Sequence, residues 1–179
     1  MSVLVALAQY PKIETARLIL RPMTKDDLDD YHAFTSNDDH LRYAFFPHRS
    51  MEESWEGLVL YNLKEPIGKY GIVEKSSNRL IGNIHFKLTE QPDTLELGYT
   101  LHHAYTGQGY MTEAAQALTS LAMQLPNVNR LTATVDQANL ASKAVLEKLG
   151  MTVVKSYPAT SLRGKQTVFE DYQLDLTSF

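Results

Sequence analysis

The chain has 179 residues, of which 44% are hydrophobic and 21% charged, with no cysteine and a net charge of -4. This composition points to one soluble globular domain and excludes disorder, disulfides, a thiolate nucleophile and cysteine-ligated zinc. The charge has the wrong sign for gripping phosphates of nucleic acid, and the apolar opening MSVLVALAQYP is too short to span a bilayer and lacks a basic leader, so a cytoplasmic protein with no membrane or nucleic-acid partner is expected.

In chain order, ARLILRPM (16–23) reads as a first strand, and TKDD from Thr24 offers a capping box for a helix to about Phe34. SMEE at Ser50 repeats that signal for a second helix to about Leu63, closed by Pro66 and Gly68. Between Thr24 and Glu56 stand nine acids against three bases, a local net charge of -6. The plain reading is a pair of solvated helix faces; the sharper one is a rim that attracts a cationic substrate. KYGIVEK and NRLIGNIHFKL follow as two strands around a polar turn, and TLELGYTL (94–101) as another. In the last, Leu95, Leu97, Tyr99 and Leu101 share one face and Glu96, Gly98 and Thr100 the other.

From Tyr110 the period changes to that of a helix, with Met111, Ala114, Ala115, Leu118, Leu121, Ala122 and Leu125 as its stripe and Pro126 as its stop. RLTATV is the next strand. NLASKAVLEKLG is a helix with Leu140, Ala144, Val145 and Leu149 on its apolar face and Gly150 at its end. MTVVKSY and TVFEDYQLDL supply two final strands. The order β, α, α, β, β, β, α, β, α, β, β carries no repeat or linker and gives an α/β domain with a mixed sheet.

The loop GQG lies between a strand and a helix N-terminus, where backbone amides have no internal partner and attract anions. Gly107 and Gly109 let that backbone approach a phosphate closely, although a glycine pair of this kind also serves as a plain turn. No lysine follows for a P-loop, and Thr112 replaces the third glycine of a dinucleotide fingerprint. Asn139 and Ser142, three apart, fit an N-cap and its partner. The histidines show no metal-ligand spacing, so no metal is implied.

Together, ARLILRPMTKDDLDDY, GYTLHHAYTGQGYMTEA and VDQANLASKAVLEKLGM resemble the GNAT acyl-CoA N-acyltransferases, in the branch of ribosomal-protein N-terminal (alanine/serine) acetyltransferases. The likeness covers almost the whole chain. It implies a single domain over 1–179 with a mixed, largely antiparallel central sheet of about seven strands and about four helices. It implies acetyl-CoA as co-substrate, its diphosphate on the amides of Gly107, Gln108, Gly109, Tyr110 and Met111 with the Thr112 hydroxyl. The pantetheine arm would pair with backbone near Tyr99 and Leu101, where family members splay two strands, and Asn139 would also touch it. Gly98 would permit a bulge there, or would simply be a packing glycine. Ser142 would stand near the thioester sulfur as proton donor. Ala104 departs from the family, which has Gln or Arg at that place.

No covalent intermediate is implied, since the chain has neither cysteine nor a GxSxG elbow; direct attack by a primary amine in a ternary complex is expected. Glu96, the one acid on the central strand, is the candidate base, with His102 and His103 as alternatives of which at most one would face the site. The favoured acceptor is a protein N-terminal α-amine. A polyamine or aminoglycoside acetyltransferase, a non-catalytic acyl-CoA-binding module and a ligand-free interaction domain are the rival readings. A homodimer is compatible with all of them.

Overall fold

A computed structural model describes residues 2–39 and 41–178. Its elements are α1 (Val3–Leu7), β1 (Ile13–Glu14), β2 (Leu18–Arg21), α2 (Leu28–Thr35), α3 (Met51–Leu58), β3 (Lys69–Glu74), β4 (Arg79–Leu88), β5 (Thr94–Leu101), α4 (Tyr110–Ala122), β6 (Arg130–Asp136), α5 (Leu140–Lys148), β7 (Thr152–Thr160) and β8 (Gln166–Asp175). The strands form one sheet in the order β1-β2-β3-β4-β5-β6-β8-β7. Every neighbouring pair is antiparallel except β5 with β6.

The expected class holds, with eight strands and five α-helices among the described residues in place of about seven and four. The additions are short. Strand β1 has two residues, and α1 has five, capped by Ser2 and burying Ala6 and Leu7. Neither is long enough to show a period. The first expected helix opens with a 3-10 turn at Lys25–Asp27, where the Asp27 carboxylate accepts from Thr24 N at 2.7 Å and from Arg21 at 2.8 Å. The second is α-helical only to Leu58 and widens into a π-turn over Val59–Leu63.

The sheet separates two apolar layers. On one face α4 lays down the expected stripe, with Ala114, Ala115, Leu118 and Ala122 wholly buried against β-strand residues such as Leu18, Ile72, Ile84, Leu95 and Leu131. On the other, α2 and α3 bring Tyr31, Phe34 and Leu58 onto Met23, Val73 and Leu80. Burial of that kind fixes both helix pairs, since truncating a wholly buried leucine such as Leu118 to alanine costs about 2–5 kcal/mol. Helix α5 departs from expectation in part. Its buried residue is Leu146, while Leu140 is 72% exposed and Ala144 is exposed as well. Of the expected stripe, Val145 and Leu149 do pack against the core, while Leu140 is exposed and Ala144 walls a groove.

Candidate active site

The groove begins where the sheet comes apart. Strands β5 and β6 pair at Thr94↔Arg130, Leu95↔Leu131 and Glu96↔Thr132 and then separate. Strand β5 continues its ladder with β4 as far as Gly82↔Leu101, while β6 continues with β8 to Asp136↔Phe169. From Leu97 onward one edge of β5 therefore turns to the opening, which α4 and α5 flank to make a groove of about 1130 Å³. A strand edge of this kind offers N–H and C=O groups to an extended ligand. The residues expected at the site converge here: Glu96, Tyr99, Leu101, Gly107, Gly109, Tyr110, Met111, Thr112, Asn139 and Ser142 all wall the groove.

At its mouth the chain turns through Gly107 (φ +73°) and Gly109 (φ +80°), the latter the N-cap of α4 with no side-chain cap. A Cβ on Gly107 would meet nothing within 4 Å, so the turn is open to solvent rather than packed on protein. Among the described residues the amides of Gly107 to Thr112 meet no protein acceptor at hydrogen-bond distance. This is the cradle a diphosphate requires, and the residues present fit one: converging N–H donors at a helix N-terminus, with side chains absent where the ligand would lie. Gln108 contributes only backbone. Its side chain folds back to donate to Ala104 O at 2.9 Å and is not part of the wall.

Arg17, not anticipated from sequence, braces the turn. Its Nη1 donates to Gln108 O at 3.0 Å, its Nε to Glu113 at 2.6 Å, and its guanidinium lies 4.2 Å from the Tyr110 ring centre. Glu113, an acid in the first turn of α4, also accepts from Thr15 Oγ1 at 2.6 Å and Arg17 N at 2.8 Å. Burial pushes its carboxyl up, but the hydrogen bonds from Thr15 and Arg17 prevail and hold it below the usual range. Its charge is thereby matched by Arg17 and does not oppose an anion on the amides. No local pattern links residues 17 and 113; only the fold brings them together.

Farther in, Tyr99 donates from its hydroxyl to Ser142 O at 3.2 Å and so ties β5 to the start of α5. Burial pushes its phenol up to about 12, which keeps it neutral. Asn139 caps α5: Oδ1 accepts from Ser142 N and Nδ2 donates to Ser142 Oγ, both at 3.2 Å. That leaves the Ser142 hydroxyl hydrogen free to point elsewhere. Glu96 stands at the last β5–β6 pair, half-exposed, with Lys87 Nζ 3.9 Å away. Gly98 makes no bulge: it pairs in register with His85, and a Cβ there would come within 2.6 Å of His85 Nε2. It is a packing glycine.

His102 and His103 do not point opposite ways as strand neighbours would. The strand ends at Leu101, His102 Nδ1 accepts from Ala104 N, and the two rings stack at 4.5 Å. His103 reaches the groove wall and His102 does not. The acidic stretch is likewise engaged elsewhere: Asp27 with Arg21, Asp30 with Arg79, Asp38 with Arg163 and Glu53 with Arg49 N. Of its nine acids only Asp39 walls the groove.

The sheet opens at its parallel step beside the uncapped N-terminus of α4, as the resemblance to the acyl-CoA N-acyltransferases implies. Over residues 17–152 the sequence matches the acetyltransferase (GNAT) domain, and the chain belongs to that family. It is 29% identical over 140 residues to the uncharacterized N-acetyltransferase YnaD of Bacillus subtilis, covering 78% of this chain and 81% of that protein. A GNAT-family acetyltransferase from Bacillus anthracis shares the fold with a TM-score of 0.82 at 23% identity, over 93% of this chain and 99% of that one. RimL, a ribosomal L7/L12 alpha-N-protein acetyltransferase solved with coenzyme A, does so with a TM-score of 0.78 at 22% identity, over 92% and 97%. The protein is an N-acetyltransferase. Among the described residues no helix is long and apolar enough to cross a membrane.

Proposed function

We propose that the protein moves an acetyl group from acetyl-CoA to a protein N-terminal α-amine within a ternary complex. The observation that carries this reading is one continuous groove that joins the open amides at 107–112 to Glu96 and Ser142. The likeness to RimL favours an α-amine, and four of the nine acids of the acidic stretch are engaged in ion pairs or caps, which weakens the case for a polyamine or aminoglycoside.

The chemistry needs a neutral amine. An α-amino group titrates at about 7.7–8.0, so deprotonation near neutrality costs roughly 1 kcal/mol, against roughly 4–5 for a lysine at about 10.4. A partly exposed carboxylate suffices as base for the first. Glu96 takes the proton as the nitrogen–carbonyl bond forms, and Ser142 passes its hydroxyl proton to the thiolate as the carbon–sulfur bond breaks, regaining one from solvent to which Glu96 releases its own. In this reading an amide of β5 beyond Glu96, where pairing with β6 has ended, donates to the developing oxyanion. Gly107, Gly109, Tyr110, Met111 and the Thr112 hydroxyl hold the diphosphate, Tyr99, Leu101 and Asn139 line the arm, and most of the rate comes from this positioning.

Thiol release with acetyl-CoA and N-terminal peptides tests the reading. Glu96→Gln and Ser142→Ala should each lower kcat while leaving the calorimetric Kd of acetyl-CoA near that of the parent. Full turnover in the double variant would remove both from the mechanism. Tight binding without transfer to any amine would leave only a binding module.

A further inference from the structure

A second cavity, of about 1210 Å³, lies against the sheet face beneath the α2–α3 connection. It meets the first groove at Ala44, Tyr99 and Thr100, which wall both. Six aromatic side chains contribute to its lining: Tyr31, Phe45, Phe46, Tyr61, Phe86 and Tyr99. At its mouth Leu4, Phe46, Tyr61, Ile67 and Leu88 are exposed by 42% to 68%, a concentration of apolar surface that scattered exposed residues elsewhere do not match.

Two buried polar atoms of this lining have no hydrogen-bond partner among the described residues, Nδ2 of Asn62 and Oδ1 of Asn83. The Asn62 side chain belongs to a residue only 7% exposed. Asn62 has only a weak approach to the Tyr31 phenol, whose titration it lowers, and Asn83 Oδ1 is an acceptor without a donor; such atoms are costly to bury unless a ligand completes them. A ligand that completes both carries an N–H and a carbonyl oxygen. Asn83 pairs with Thr100, so it shares a sheet face with Gly98 and Glu96 two and four residues along β5. His85 lies between on that face, and burial, with Lys69 and Lys87 nearby, pushes its imidazole down to about 4, leaving it neutral and unable to repel an ammonium group. The other charges are Lys64, Lys69 and Lys87 against Glu65, an unfavourable rim for a polycation.

We infer that this cavity receives the side chain of the acceptor's first residue and selects a large apolar or aromatic one, with Asn83 accepting from a backbone N–H of the acceptor peptide and Asn62 donating to one of its carbonyls. The inference rests on the proposed N-terminal acetylation and adds its specificity. The first residue would be phenylalanine-like or leucine-like, with its amine on the face that bears Glu96.

Peptides identical except at the first residue, with Phe, Leu, Ala or Ser there, are compared by thiol release using the full chain and acetyl-CoA. The Phe and Leu peptides should exceed Ala and Ser by about tenfold or more in kcat/KM. Asn83→Leu should lose that activity mainly through the peptide KM, with the Kd for acetyl-CoA unmoved as proof of folding, and Asn83→Asp, which keeps an acceptor oxygen, should recover much of it. Equal rates for all four peptides, or a preference for Ala and Ser, would overturn the specificity while leaving N-terminal acetylation intact. Faster transfer from octanoyl-CoA than from acetyl-CoA would give the cavity to the acyl chain, and a dimer dispersed by Phe46→Ser would give it to a second copy; either overturns the inference. Transfer to no peptide at all, with acetyl-CoA bound tightly, would overturn both it and the proposed function.

Discussion

The groove and the cavity meet at Tyr99 and are built on opposite plans. The groove takes its donors from consecutive backbone amides at 107–112 and from one strand edge, whereas the cavity takes its character from side chains as far apart as Leu4, Phe46, Asn62 and Asn83. A ligand that is the same for every member of a family can be held by main chain, which tolerates substitution around it. An acceptor that differs between members must be read by side chains, which mutation can change one at a time. The comparison therefore places chemistry and cofactor binding on one side of Tyr99 and choice of acceptor on the other.

The sharpest way to break this division is Glu96→Gln, which should lower kcat on the order of 10²- to 10⁴-fold, as loss of a general base does, with little change in stability because its contact with exposed Lys87 at 3.9 Å is weak. Rate assays and denaturant melts on the same sample check both halves. On the cavity side His85 supplies a pH signature. Its folded-state value of about 4 lies below the ordinary 6.5, so the unfolded chain takes up the proton first as the pH falls. Stability is complete above about 6.5 and should decline by about 3 kcal/mol on the way to pH 4, and His85→Gln should flatten that slope in denaturant titrations.

Smaller effects separate the turn from its ligand. Gly109→Ala places a side chain at φ +80° and should cost about 1–2 kcal/mol of stability. Gly107→Ala carries a similar conformational cost at φ +73°, yet its Cβ meets no protein atom within 4 Å. Any loss of coenzyme A affinity in Gly107→Ala therefore reports on the ligand's position, and about tenfold is expected if the new methyl enters the diphosphate site. Asn139→Ala removes the cap of α5 and should lower stability by about 1 kcal/mol, visible as a modest shift in thermal melts.

Most of this architecture could be read from the chain because its signals are local. The alternation in TLELGYTL marked β5 to the residue, and the period after Tyr110 marked the buried face of α4. The glycine loop was legible for the same reason, since the open turn of Gly107 and Gly109 at the start of α4 is a short contiguous segment. Long-range contacts were not. Arg17 reaches Glu113 across 96 residues, and nothing near either announces the other. Helix α5 was legible only in its second half, where Val145 and Leu149 pack on the core, because an apolar residue on a groove wall such as Ala144 resembles one in a core stripe. The stacked His102 and His103 misled because the strand rule ceases to apply one residue past Leu101. The second cavity left no motif, since its walls come from six separate stretches of chain.

The account depends on the amides of residues 107–112 meeting the diphosphate. Titrating coenzyme A into the isotope-labelled protein and following backbone amide resonances tests this most directly. The largest shifts should fall on Gly107 to Thr112, and pantetheine, which lacks the diphosphate, should leave them nearly unmoved while still shifting residues of β5 beyond Glu96. Saturating coenzyme A with those six amides unmoved would contradict the account.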